Sequence, residues 1–242
     1  MNLNNLLKEF EKSKNPSKAK ILSRFFKTGK GQYGEGDIFL GLTVPEQRAL
    51  AKKYVSLSFS EIQKLIDSKI HEHRLTGLII LTYKYEKAND ILKKEIFDFY
   101  LKNTKKVNNW DLVDVTCPRI VGEYLLDKKE KDGRKILYTL SNSKNLWEKR
   151  ISIVSTYTFI RNHEFRDTLE LSEILMHDKH DLIHKAVGWM LREVGKKNEK
   201  TLKDFLDKHS KHMPRTMLRY AIERLSEKEK KYYDFILSRL QS

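Results

Sequence analysis

Apolar residues recur at i, i+3, i+4 and i+7 through most of this chain, and residues that break helices are scarce. This pattern constrains the fold more than any other feature, because a half-buried strand needs a period of two and no stretch alternates convincingly. In Ile91-Leu92-Lys93-Lys94-Glu95-Ile96-Phe97-Asp98-Phe99-Tyr100-Leu101 the apolar side chains form a stripe along one helical face. Comparable stretches lie near 59–68, 72–86, 147–160, 164–176, 180–195, 200–208 and 215–225. Helix-start signals stand just before such stretches at Asn15-Pro16-Ser17, Ser60-Glu61, Asn198 and Ser226. Ten glycines and four prolines in 242 residues leave few interruptions, so the chain is expected to be all-α. Four of those glycines fall in Gly29-Lys30-Gly31-Gln32-Tyr33-Gly34-Glu35-Gly36. Each costs ~1 kcal/mol in a helix relative to Ala, so 29–36 is expected to be a loop.

The helices read as paired and repeated. Arg74, Arg150, Lys185 and Arg215 sit at matching points of successive segments. Arg74 and Arg150 lie 76 positions apart, two steps of 38 with Asp111 near the midpoint, and the later steps are 35 and 30. HEAT and armadillo helix pairs repeat every ~40–47 residues, so these steps are short. The expected architecture is one domain over 1–242, a HEAT-like (ARM-type) solenoid of helical pairs. Stacked pairs curve, and the same helix of each repeat lines a concave wall, so matching cations would make a basic groove. The competing reading is that these are ordinary solvated charges at helix starts.

Charge narrows the partners. Lys and Arg number 48 against 33 Asp and Glu, a formal charge of +15. Nucleic acid or an anionic membrane surface would be attracted. No apolar run approaches the ~20 residues needed to span a bilayer, and the N-terminus has no signal-peptide pattern. No single helix joins a strongly basic face to a large aromatic one, which disfavours a membrane-surface role. The lone cysteine, Cys117, excludes an internal disulfide and a cysteine zinc cluster, and suits a reducing cytosol.

Three constellations could carry chemistry. Gly29, Gly31 and Gly34 formally satisfy G-x-G-x-x-G, but no strand precedes them and no helix follows at once, so a dinucleotide site is not expected. His177, His180 and His184 share a helical face, and His71 and His73 lie two apart. Without an H-E-x-x-H motif or a nearby cysteine they are read as ordinary histidines, and neither metal nor cofactor is expected. Cys117, before Pro118 in an apolar stretch, is expected in the core. The third constellation is richer: Trp110-Asp111-Leu112-Val113-Asp114, Trp147-Glu148-Lys149-Arg150 and Trp189-Met190-Leu191-Arg192-Glu193, spaced by 37 and 42 residues. Trp110 and Asp114 stand at i and i+4, so ring and carboxylate share a helix face. A structural Asp114–Arg150 pair among core tryptophans is the alternative at this point.

At these residues the chain resembles the DNA alkylation repair family, the AlkD-type alkylpurine DNA glycosylases built from HEAT-like repeats. Phe39-Leu40-Gly41-Leu42-Thr43-Val44-Pro45-Glu46-Gln47-Arg48, the two segments beginning at Trp110 and Trp147, and Ala186-Val187-Gly188-Trp189-Met190-Leu191-Arg192-Glu193 carry the resemblance. It implies a catalytic set of Trp110, Asp114 and Arg150, flanked by Trp189. It also implies excision of cationic N3- and N7-alkylated purines from duplex DNA without metal, cofactor or base flipping. Phosphate attraction is expected from Arg48, Arg74, Lys185, Arg192 and Arg215. A cytoplasmic, nucleoid-associated monomer would fit. Glycosylases of this family carry a lesion-contacting helix before the Phe-Leu-Gly stretch, where this chain runs into its glycine-rich segment. A non-catalytic duplex-binding scaffold is therefore the rival reading. An adaptor for an acidic protein is the third.

Overall fold

The computed structural model describes the backbone of residues 1–128 and 133–238 and the side chains up to Phe235. Among these the chain is helical, with no strand beyond an isolated bridge between Ile38 and Ile70. It divides into two compact units, Met1–Ile120 and Val121–Ser242.

In the N-terminal unit the helices are α1 (Leu3–Lys12), α2 (Pro16–Phe25), α3 (Val44–Lys53), α4 (Phe59–Ile66), α5 (His71–Glu86), α6 (Asp90–Lys102) and α7 (Trp110–Cys117). Local chemistry sets their starts. The Asn15 side chain accepts the Lys18 N–H and Pro16 takes the first turn of α2, where its missing N–H costs nothing. Thr43 with Glu46, and Ser58 with Glu61, form reciprocal capping boxes on α3 and α4. The start of α4 is thus two residues ahead of the Ser60-Glu61 signal. α5 is the unit's centre, buried along almost its whole length and packed against α3, α4 and α7. Leu75, Leu78, Ile79, Ile80 and Leu81 are wholly buried, each contributing about 1.5–3 kcal/mol of apolar transfer. α2, by contrast, buries no side chain completely.

In the C-terminal unit the helices are α8 (Glu123–Leu126), α9 (Lys135–Ser141), α10 (Leu146–Ser155), α11 (Tyr157–Arg161), α12 (Arg166–Leu175), α13 (Asp181–Lys197), α14 (Glu199–His209), α15 (Arg215–Ala221) and α16 (Glu227–Ser238). Asn198 caps α14 through the Thr201 N–H, and Ser226 makes the same contact to Glu229 before α16. The expected repeat is visible as a ladder of helices. α10 packs on α13 and α13 on α15, as α5 packs on α7 in the other unit. Arg74, Asp111, Arg150, Lys185 and Arg215 fall on α5, α7, α10, α13 and α15 in turn.

The glycine-rich segment is non-helical, as expected, and carries hydrogen bonds of its own. Backbone N–H groups of Gln32, Gly34, Glu35 and Asp37 donate to carbonyls of Gly29, Lys27, Gln32 and Gly34. The Gln32 and Glu35 side chains accept from Gly29 and Gly31. Any side chain at Gly34 would collide with the Phe26 carbonyl, so this glycine lets the turn lie flat on the end of α2.

Candidate functional site

α7 begins where Asn109 accepts the Trp110 N–H at 2.8 Å, and it places Trp110 and Asp114 one turn apart, both half-buried. The indole of Trp110 is held from three sides by the N-terminal segment. Phe26 stacks on it with centroids 5.1 Å apart and planes 24° apart, and Phe25 approaches edge-on at 5.8 Å. Its Nε1 donates to the Tyr33 hydroxyl at 3.3 Å. Tyr33 sits in the glycine-rich loop, which therefore forms a wall beside Trp110. Phe25 is 61% exposed.

Beneath this aromatic surface lies a buried charge cluster. His71, at the start of α5, has Nδ1 3.1 Å from an Asp37 carboxylate oxygen and Nε2 2.8 Å from an Asp111 carboxylate oxygen. Arg74 donates to the other oxygen of Asp37 at 2.6 Å and to the Ser68 carbonyl at 2.9 Å. Phe26 and Phe39 cover the imidazole at 5.0 and 4.5 Å. Burial alone would lower the proton affinity of His71, but the Asp111 and Asp37 carboxylates outweigh it and raise its pKa to about 9, with Arg74 opposing. Burial likewise acts to raise Asp37, yet its His71 and Arg74 partners hold it below the usual carboxylate range. One residue on, the wholly buried carboxylate of Glu72 accepts the backbone N–H groups of Leu40, Gly41 and Leu42 at 2.8 to 3.3 Å. It thereby moulds the Phe-Leu-Gly-Leu segment.

These contacts correct one expectation. Arg74 was expected among the phosphate-binding cations, but its side chain is only 4% exposed and is committed to Asp37 and Ser68. The apolar core around α5 turns it inward. Arg48, on α3, is half-exposed. In the C-terminal unit Arg215 is exposed on the first turn of α15. Lys185 pairs with Asp181 one turn back, and Arg192 with Glu223. The Lys185–Asp181 pair is exposed, a kind worth about 0–1 kcal/mol, whereas the Arg192 side chain is only 18% exposed. Arg150 is buried and donates to the Leu182 carbonyl at 2.5 Å. Trp189 is half-buried beside Tyr157, with its Nε1 donating to Glu193. Trp147 and Cys117 are core residues.

The histidines of α13 serve local structure: His180 caps the helix through Leu182, and His184 bonds the Asp178 carbonyl. Among the described residues no three His, Cys, Asp or Glu side chains are grouped to hold a metal ion. Nor is any helix among them long and apolar enough to cross a membrane.

Sequence reasoning overlooked an exposed cationic stretch. Between Glu11 and Glu35 there are seven Lys or Arg and no acidic residue. Of these, Lys18, Lys20, Arg24, Lys27 and Lys30 are exposed on α2 and the loop, beside Phe25 and Trp110. The run of one charge sign was the available signal. His71 and Tyr33 had no such signal, because their partners are 34 to 77 residues away.

No curated protein sequence matches this chain. A solved structure described as a predicted DNA alkylation repair enzyme from Enterococcus faecalis superposes with a TM-score of 0.69 at 16% identity, covering 88% of this chain and 97% of that one. That likeness establishes the fold, a helical-repeat architecture of the same kind. The family model described as DNA alkylation repair enzyme matches residues 6–225, which takes in most of both units and every residue of the candidate site. The chain therefore belongs to the DNA alkylation repair enzyme family.

Proposed function

We propose that the protein is a DNA glycosylase that hydrolyses the N-glycosidic bond of cationic alkylated purines, 3-methyladenine and 7-methylguanine, in duplex DNA without extruding the base. The observation that carries this reading is the pairing on α7 of a half-buried indole with a half-buried carboxylate one turn away. An alkylated purine already carries positive charge and leaves readily, so no general acid is required. The barrier lies in the positive charge that develops on deoxyribose as the bond breaks. Asp114 stabilises that charge and orients the attacking water, whose oxygen bonds to the anomeric carbon as the neutral purine departs. Trp110 and Trp189 supply aromatic faces for the sugar. Arg150, by turning from the Leu182 carbonyl that it bonds in the free protein, holds a neighbouring phosphate in register, while Arg48, Lys185, Arg192 and Arg215 add sequence-independent attraction for the backbone. The protein would act as a cytoplasmic monomer without metal or cofactor.

The direct test is release of 7-methylguanine or 3-methyladenine from methylated duplex DNA. Wild type should release base, and Asp114→Asn should lower the rate by about 10²–10³-fold with DNA affinity unchanged, the scale for losing one preorganised electrostatic group. Absence of release by wild type refutes the reading.

A second reading, a duplex-binding scaffold that has lost excision, is favoured by one observation: Phe26 and the Tyr33 hydroxyl already occupy a face and the N–H of Trp110. It predicts salt-dependent binding with no base release.

A further inference from the structure

We propose that His71 is a positioning residue: as an imidazolium it bolts the foot of the glycine-rich loop, through Asp37, to the first turn of α7, through Asp111, and so fixes Trp110 and Asp114. The inference rests on the glycosylase reading only for what the positioned residues do. The bolt itself is read from the N-terminal unit alone.

The ring has a carboxylate oxygen within hydrogen-bond distance of each nitrogen. A neutral imidazole carries one N–H and would turn a lone pair on one of these buried carboxylates. Two protons satisfy both. Charge balance agrees, since Asp37 and Asp111 bring two negative charges and Arg74 with the imidazolium brings two positive ones. These are the charged groups facing the ring from the loop, from α7 and from α5 itself; the phenyl rings of Phe26 and Phe39 also pack on it.

A second polar tie between these two elements is the Tyr33 hydroxyl against the Trp110 indole. Phe26 links the layers, stacking on Trp110, His71 and Phe39. The Ile38 N–H and carbonyl pair with the Lys69 carbonyl and the His71 N–H, bringing Asp37 to the ring. Asp111 also accepts the Leu112 N–H, so the oxygen pair that receives the imidazolium is part of the start of α7. Without the second proton, the Asp37 side would lose a donor and the loop would lift from the indole. The catalytic pair would then lose its wall.

The test uses the full chain and two readouts independent of base release. In ¹⁵N-histidine-labelled wild type at pH 7.5, both His71 ring nitrogens should carry protons. Trypsin reports the loop through the exposed Lys27 and Lys30. His71→Gln should raise cleavage there by about tenfold or more, as the closed loop opens locally. Wild-type cleavage should rise with pH as the ring loses its proton, after correction for trypsin's own pH profile, and the variant should stay flat. Tyr33→Phe, which removes only the outer tie, should keep the wild-type pH response. In the base-release assay His71→Gln should lower the maximal rate by about 10–100-fold with DNA affinity unchanged, the scale of a small misplacement of reacting groups. A singly protonated ring at pH 7.5, or pH-independent loop cleavage in wild type, overturns the proposal even if His71→Gln fails to fold. A protonated, pH-responsive bolt in a protein that releases no base leaves the inference standing and refutes the glycosylase reading.

Discussion

Raising the pH should weaken the N-terminal unit through His71. The folded ring binds its proton with a pKa of about 9, against about 6.5 in the unfolded chain. Because the folded value is the higher one, the contribution is complete below pH 6.5. It falls away as pH rises through 9. Each tenfold change in proton affinity is worth about 1.4 kcal/mol, so the contribution is roughly 3 kcal/mol. Its structural origin is two carboxylates within 3.1 Å of a ring that is 2% exposed, which leaves little water to screen them. The assay is urea unfolding of wild type and His71→Gln at pH 6 and pH 9.5, followed by far-UV circular dichroism. Other titrating groups affect both proteins alike, so the difference between them isolates the ring. The variant should be less stable at pH 6, and the gap should narrow by roughly 3 kcal/mol at pH 9.5. Parallel stability curves across that range would refute the reasoning.

Acid should act through the neighbouring His73, whose burial lowers its pKa to about 4. Its contribution is present above pH 6.5 and is lost as pH falls toward 4, so His73→Phe should flatten that part of the acid-unfolding curve. Glu72→Gln should destabilise the chain by about 2–4 kcal/mol in urea unfolding, because three backbone N–H groups lose a charged acceptor and one meets an amide N–H₂. Arg74→Gln should cost about 3–5 kcal/mol of stability, as a broken buried pair does, while leaving the salt dependence of DNA binding unchanged. Arg215→Gln should do the reverse, keeping stability and reducing the log–log salt slope by about 0.9, one phosphate contact. Gly41→Ala should unfold the turn before α3 at lower urea, since φ is +94° there and a Cβ would strike the Asn15 carbonyl.

Helix content, most helix starts and the shared face of Trp110 and Asp114 could be read from the sequence, because each depends on neighbours three or four positions away, and the repeat could be read from matching residues 30 to 38 positions apart. The capping residues Asn15, Asn198 and Ser226 act where they were expected, and the motif segments sufficed to suggest the family. Tertiary structure decided the rest. Arg74 has the same local surroundings as an exposed helix-start cation, and only Asp37, 37 residues earlier, makes it a buried one. The glycines of 29–36 correctly excluded a helix, but where the loop packs depended on α2 and Trp110, and the course of Asp37 beyond it on His71. Composition therefore identified the loop, while its packing came from side chains distant in sequence. His71 read as an ordinary histidine in the sequence, and the two carboxylates that face its ring lie 34 and 40 residues away. Local periodicity encodes which face of a helix is apolar; the protonation and burial of a polar group depend on what packs over it.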